Sequence, residues 1–213
     1  MPHVADTLLL LVLLSGFAIL AASRLSFTIR AAGAQGILLG LLPVFIHRTW
    51  SAEALWIAAG TIGIKGVLLP AVLLWAMREA AVRREVEPSL GPLASIVAGV
   101  LAVALAMVVS GNLPKIAADV PPLLIATSLA VMMMGFLVLT TRRKAMSQVV
   151  GYLMLENGVY LFGLALSARV PLLVEMGVLL DLVVGVFIMG LVVFHMNREL
   201  DSQDSARLSE LRD

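Results

Sequence analysis

An all-α, polytopic membrane fold of about seven transmembrane helices is what this chain predicts, and three observations predict it. The 213 residues are 61% hydrophobic and only 14% charged, with a mean hydropathy of +1.02, far from the composition of soluble domains. Apolar windows of roughly 18 to 25 residues, the length that crosses ~30 Å of hydrocarbon at 1.5 Å per residue, recur about seven times. The basic residues gather in alternate loops. With the N-terminus outside and the C-terminus inside, the inner segments hold Arg24 and Arg30; Arg78, Arg83 and Arg84; Arg142, Arg143 and Lys144; and Arg198, Arg207 and Arg212. Only Arg48, Lys115 and Arg169 fall outside, and Lys65 is intramembrane. Retention of Lys and Arg on the cytoplasmic side makes this the predicted orientation.

The predicted spans lie near 5–23, 28–46, 52–77, 92–110, 121–141, 145–167 and 171–196. The first is read as a retained helix and not a signal peptide, because Met1 to Asp6 contains no Lys or Arg and no small-residue cleavage pattern follows. The second carries Gly33 and Gly40; the third carries Lys65 among Gly60, Gly63 and Gly66, with Pro70 a turn further on. Trp50, Trp56 and Trp75 near helix ends read as interface anchors. The fifth holds Met132-Met133-Met134, read as packing or lipid contact. The sixth and seventh hold the acids discussed below. The tail from Asn197 to Asp213, with five acids and three arginines, reads as solvated polar chain, the other reading being a short helix laid on a cytoplasmic partner. Gly33 and Gly40 share their spacing with Gly151 and Gly158, and Lys65 falls at about the depth of Asp181, a faint echo of the internal repeats of transport folds.

The absence of cysteine excludes disulfides, thioether haem, iron–sulfur clusters and thiolate zinc sites. The three histidines, His3, His47 and His195, lie at span ends or outside, so no redox metal is expected in the membrane, and no cofactor. A net charge of +1 gives no reason to expect a nucleic-acid partner; the lipid bilayer is the expected surroundings.

Chemistry concentrates in four ionisable residues within apolar spans: Lys65, Glu156, Glu175 and Asp181. Each costs on the order of 3 kcal/mol at the bilayer centre on insertion scales, which makes it a functional candidate by default. In the sixth span Gln148, Tyr152, Glu156 and Tyr160 follow at intervals of four, a slowly slanting stripe of amide, hydroxyl and carboxyl groups. A polar row at mid-depth has to face other helices or a hydrated cavity. Gly151 and Gly158 allow a neighbouring backbone to approach closely. Asp181 lies at a depth like that of Glu156, so the two are candidate successive stops for a proton. Glu175 is about 120° round the helix from Asp181 and nearer the outer surface. Desolvation disfavours the charged forms of lysine and carboxylic acid alike, and pairing favours them, so Lys65 beside an acid can exchange charge with it as protons arrive. The competing reading is fixed interhelical bonding, a protonated acid or a structural ion pair.

The run Gly151 to Tyr160, with Leu155-Glu156-Asn157-Gly158 at its centre, and then Glu175 to Gly190, with Asp181 and Gly185, resembles the hydrogenase-4 component E family. The last three helices of that family are similar to the complex I K subunit and to the C subunit of Mrp-type antiporters. Glu156 matches the acid of the K subunit's second helix. Asp181-x-x-x-Gly185 matches the acid of the third, with Asp in place of the usual Glu and a side chain one methylene shorter. The resemblance implies three parts: a four-helix membrane extension over 1–120, a K-subunit-like unit over 121–196 and a cytoplasmic tail over 197–213. It also implies a non-catalytic, cofactor-free subunit of a hydrogenase-4 or formate hydrogenlyase-type complex in a bacterial or archaeal cytoplasmic (inner) membrane. Its partners would be quinone-site-like and antiporter-like membrane subunits, and its cargo protons, with Na⁺ as the other candidate. Glu156 and Asp181 would carry the relay, with Lys65 and Glu175 as further members and Gln148, Tyr152 and Tyr160 as a supporting stripe.

Two other classes compete. A structural adaptor would hold antiporter-like subunits together without moving ions. A self-contained heptahelical light or ligand protein would use Lys65 as a Schiff base, against which stand its third-span position and an aromatic content of only 6%.

Overall fold

The structure, a computed structural model, describes residues 2–46, 52–79, 90–113 and 121–166. These are almost wholly helical: α1 (Pro2–Ala21), α2 (Leu25–Ile46), α3 (Ala52–Thr61) running through a π-helical segment (Ile62–Leu68) into α4 (Leu69–Glu79), then α5 (Pro92–Asn112), α6 (Pro122–Thr141) and α7 (Ala145–Leu166). Six spans long and apolar enough to cross a membrane lie among the described residues. They coincide with the first six predicted spans to within a few residues. The third, expected as one helix, is α3, the π segment and α4 end to end. The seventh, over 171–196, lies outside the described residues, as do Trp50 and the tail.

Helix is the only economical answer here, because lipid offers no partner for a backbone N–H or C=O and the α-helix satisfies both within the segment. Proline marks two starts, Pro92 and Pro122, where its missing N–H belongs to the unbonded first turn anyway. Hydroxyls inside the spans turn back on their own helix: Ser15 donates to the Val12 carbonyl at 2.7 Å, Thr28 to Leu25 at 2.8 Å and Ser128 to Ile125 at 2.7 Å. Each donor is thereby satisfied without a neighbour.

Close backbone contact assembles the bundle. In the α6–α7 pair, a Cβ on Gly151 would sit 2.6 Å from the Leu139 nitrogen and one on Gly158 would sit 2.6 Å from the Met132 nitrogen, while Gly135 faces the backbone of Leu155. On α2, Gly33, Gly36 and Gly40 face Pro70, the Lys65 backbone and Ile62 in the third span. Small residues let helices approach until dispersion contacts are dense, the attraction available where burial in lipid removes no water. The glycine pairs that share a spacing serve different neighbours: Gly33 and Gly40 touch the following span, Gly151 and Gly158 the preceding one. Within the methionine run, Met134 is fully buried and Met133 is partly exposed. Trp56 and Trp75 are exposed on the third span, as side chains that meet lipid should be. α5 lies to one side, against α1 and α6.

Candidate functional site

The third span positions its lysine through an irregularity. Over Ile62–Leu68 the helix is π-wound, and the Leu69 N–H bonds back to the Ile64 carbonyl, five residues earlier. Short π segments are frequent at functional sites, and this one occupies a glycine-rich, β-branched stretch of weak α-helical propensity. Lys65 is at its centre. Gly36 of α2 admits the Lys65 backbone so closely that a Cβ there would stand 2.7 Å from the Lys65 carbonyl carbon. The lysine is therefore buried in the bundle, with 5% of its surface exposed.

Opposite it, α7 presents Glu156, 4% exposed. Lys65 Nζ and Glu156 Oε1 are 3.2 Å apart, and the ammonium also lies 5.2 Å from the centroid of the Tyr160 ring, within cation–π range. Two residues more than ninety positions apart in the chain thus form a membrane-buried ion pair. Each charge costs several kcal/mol to desolvate, and their mutual attraction offsets that cost only while both are present. Such a pair adds little to stability, but its two charges depend on each other. A proton arriving at the carboxylate removes the partner of the ammonium, so protonation at one site is felt at the other.

A second polar contact lies beside the first. Gln35, with no exposed surface, donates from Nε2 to the Val12 carbonyl of α1 at 3.1 Å and accepts at Oε1 from Asn157 Nδ2 at 3.0 Å. Asn157 follows Glu156 on α7 and is itself buried. Among the described residues no three of His, Asp and Glu gather as a metal cage.

Of the residues singled out by sequence, the structure brings Lys65, Glu156 and Tyr160 together. Tyr152 packs, partly buried, against the apolar core. Gln148 sits at the other end of the stripe, in the first turn of α7, where its Nε2 donates to the Arg142 carbonyl at 3.0 Å. Glu175 and Asp181 lie outside the described residues. Sequence reasoning missed Gln35; a search for ionisable groups passes over an uncharged amide, although a glutamine near the middle of an apolar span is itself a signal. It also missed what Arg142 does. Counted as one of the loop cations, Arg142 is 4% exposed, and its Nη2 donates to the Leu20 carbonyl at the end of α1 at 2.8 Å. Burial pushes this guanidinium below its ordinary pKa, yet arginine keeps its charge in proteins. Beside it is a small cavity lined by Ile19, Thr28, Val138, Ser147 and Val150.

Comparison with known proteins adds the lineage. The model of the NADH-ubiquinone/plastoquinone oxidoreductase chain 4L family matches residues 123–213. An uncharacterized protein of Mycobacterium tuberculosis is 33% identical over 186 residues, which cover 84% of this chain and 82% of that protein. Hydrogenase-4 component E of Escherichia coli K12 is 28% identical over 165 residues, 76% of each chain. The chain belongs to the hydrogenase-4 component E family. The Shigella flexneri member of the family aligns with the same identity and coverage. No solved structure matches significantly. Glu156 lies within the stretch matched by the chain 4L model and Lys65 lies before it, so the ion pair joins the matched stretch to the chain that precedes it.

Proposed function

We propose that this chain is a membrane subunit of a complex I-related, hydrogenase-type assembly and that the Lys65–Glu156 pair is one stop on a proton path through it. The observation that carries the reading is the pair itself, an acid and a base 3.2 Å apart and both sealed from the surroundings. Ionisable groups buried in membrane spans are functional-site candidates by default, and ion pathways and proton relays are among their established uses. A pair held by mutual attraction can be driven: a nearby charge or a shift of a neighbouring helix changes the proton affinity of both members together. Asp181 and Glu175 would extend the path, with Tyr160 beside the ammonium and Tyr152 one turn from Glu156. Antiporter-like and quinone-site-like subunits would supply the driving change, and the complex would sit in a bacterial or archaeal cytoplasmic membrane. In this reading residues 1–120 form an extension that contributes the lysine to a K-subunit-like unit at 121–196.

The test is Glu156→Gln in the assembled, purified complex reconstituted into vesicles. The amide keeps the volume and still accepts from the ammonium, so assembly is expected to persist while proton translocation falls at least tenfold. Wild-type translocation by a fully assembled variant would overturn the assignment and leave the pair as a structural bridge in an adaptor subunit.

A further inference from the structure

We infer that the Gln35–Asn157 hydrogen bond is the spacer that keeps Glu156 opposite Lys65, so that Gln35 and Asn157 are positioning residues for the pair; the inference rests on the relay reading above and names what tunes it. Three contacts converge on two consecutive residues of α2. Gln35 grips α1 through the Val12 carbonyl at 3.1 Å and α7 through Asn157 at 3.0 Å. Gly36, the next residue, carries the Lys65 backbone of the third span directly against it. α2 is thus in direct contact with the residue next to Glu156 on one side and with the backbone of Lys65 on the other.

Helix geometry makes the coupling specific. Asn157 and Glu156 are 100° apart around α7. Fixing the Asn157 side chain on Gln35 fixes the rotation of α7 about its axis, and with it the direction in which Glu156 projects. The Gly36 contact fixes how near the third span can come. Neither alone sets the distance between ammonium and carboxylate, but together they do. The bond is also dependable, because in a dry interior a primary amide that loses its partner leaves buried donors and acceptors unsatisfied. α1, α2 and α7 therefore meet at one glutamine whose own side chain never ionises. Such a residue can set the proton affinity of the pair without taking part in the transfer.

The test uses the full chain reconstituted in lipid nanodiscs. The measurement is the pH dependence of the Glu156 carboxyl band by infrared difference spectroscopy, the band being assigned by its loss in Glu156→Gln. Asn157→Leu, of similar volume, is expected to change the proton affinity of Glu156 by about tenfold, equal to one pKa unit. Gln35→Met is expected to do the same. The double variant Gln35→Met/Asn157→Leu removes the orphaned amide and restores packing, so a merely structural role predicts recovery of the wild-type titration. The positioning role predicts that the double variant stays displaced, by no more than either single change. A wild-type titration in the double variant, or in both single variants, overturns the inference. Should Asn157→Leu fail to fold, Gln35→Met and the double variant decide alone. The outcome is independent of the translocation assay: displaced titrations alongside unimpaired pumping by Glu156→Gln would keep the spacer and discard the relay, whereas unmoved titrations alongside lost pumping would do the opposite.

Discussion

α5 and α7 are apolar spans of nearly equal length with opposite fates. α5 contains no charged residue at all and is the most hydrophobic of the six spans, yet only 22% of it is buried; α7 is the least hydrophobic and is 61% buried. In water the order would be reversed. In lipid, a Leu or Val gains nothing from leaving the hydrocarbon, whereas a Glu, Asn or Tyr has to find a protein partner. α5 accordingly turns Leu93, Val97, Leu101 and Val108 outward and buries the small residues Ser95, Gly99, Ala102 and Ala106. α7 turns Glu156 and Asn157 inward, to Lys65 and Gln35. Between these two spans, polarity and not hydrophobicity goes with burial.

That contrast can be broken most sharply at the ion pair. Glu156→Leu leaves Lys65 buried without its carboxylate and is expected to destabilise the bundle by about 3 to 5 kcal/mol, measured by reversible unfolding in mixed micelles. Glu156→Leu combined with Lys65→Met removes both charges and is expected to recover most of that loss, while abolishing the proposed proton translocation. If the double variant is as unstable as the single one, the loss does not come from the stranded ammonium.

The next effect belongs to the latch at the end of the bundle. Arg142→Met removes a charged donor from the Leu20 carbonyl and is expected to cost about 1.5 to 3 kcal/mol in the same unfolding assay, whereas Arg143→Met, at an exposed position, should cost almost nothing. Equal behaviour of the two would mean that the α1 contact adds no stability.

Gly36→Ala should fall in a similar or slightly lower range, about 1 to 3 kcal/mol, because the methyl group meets backbone and not a flexible side-chain tip. Gly60→Ala, where an added Cβ meets nothing within 4 Å, provides the matched control and should be neutral or mildly stabilising. The smallest effect is expected on α5: Leu101→Ala, facing lipid, should stay within about 0.5 kcal/mol. A larger loss there would show that another protein surface covers this face.

Much of this architecture was legible in the chain because the bilayer imposes one dominant rule. Six described spans start and end where the apolar windows predict, since backbone satisfaction and hydrocarbon thickness leave few alternatives. The candidate residues Lys65 and Glu156 were legible for the same reason: a charge in an apolar span is conspicuous. The π winding around Lys65 was not, because it depends on which neighbour the lysine must face and not on local propensity alone. Gln35 and Arg142 were hidden for opposite reasons, one because it carries no charge and the other because its charge looked like that of any loop arginine.

By itself the sequence determined the membrane class, the span boundaries and the ionisable residues that have to be sheltered, because transfer energies depend on residue type and segment length alone. Only the tertiary structure decided that Lys65 pairs with Glu156, that Gln35 ties α1 to α7 and that Arg142 is buried against α1. These facts depend on which helix faces which and in what rotation, and that is set by glycine-permitted backbone contacts between segments far apart in the chain.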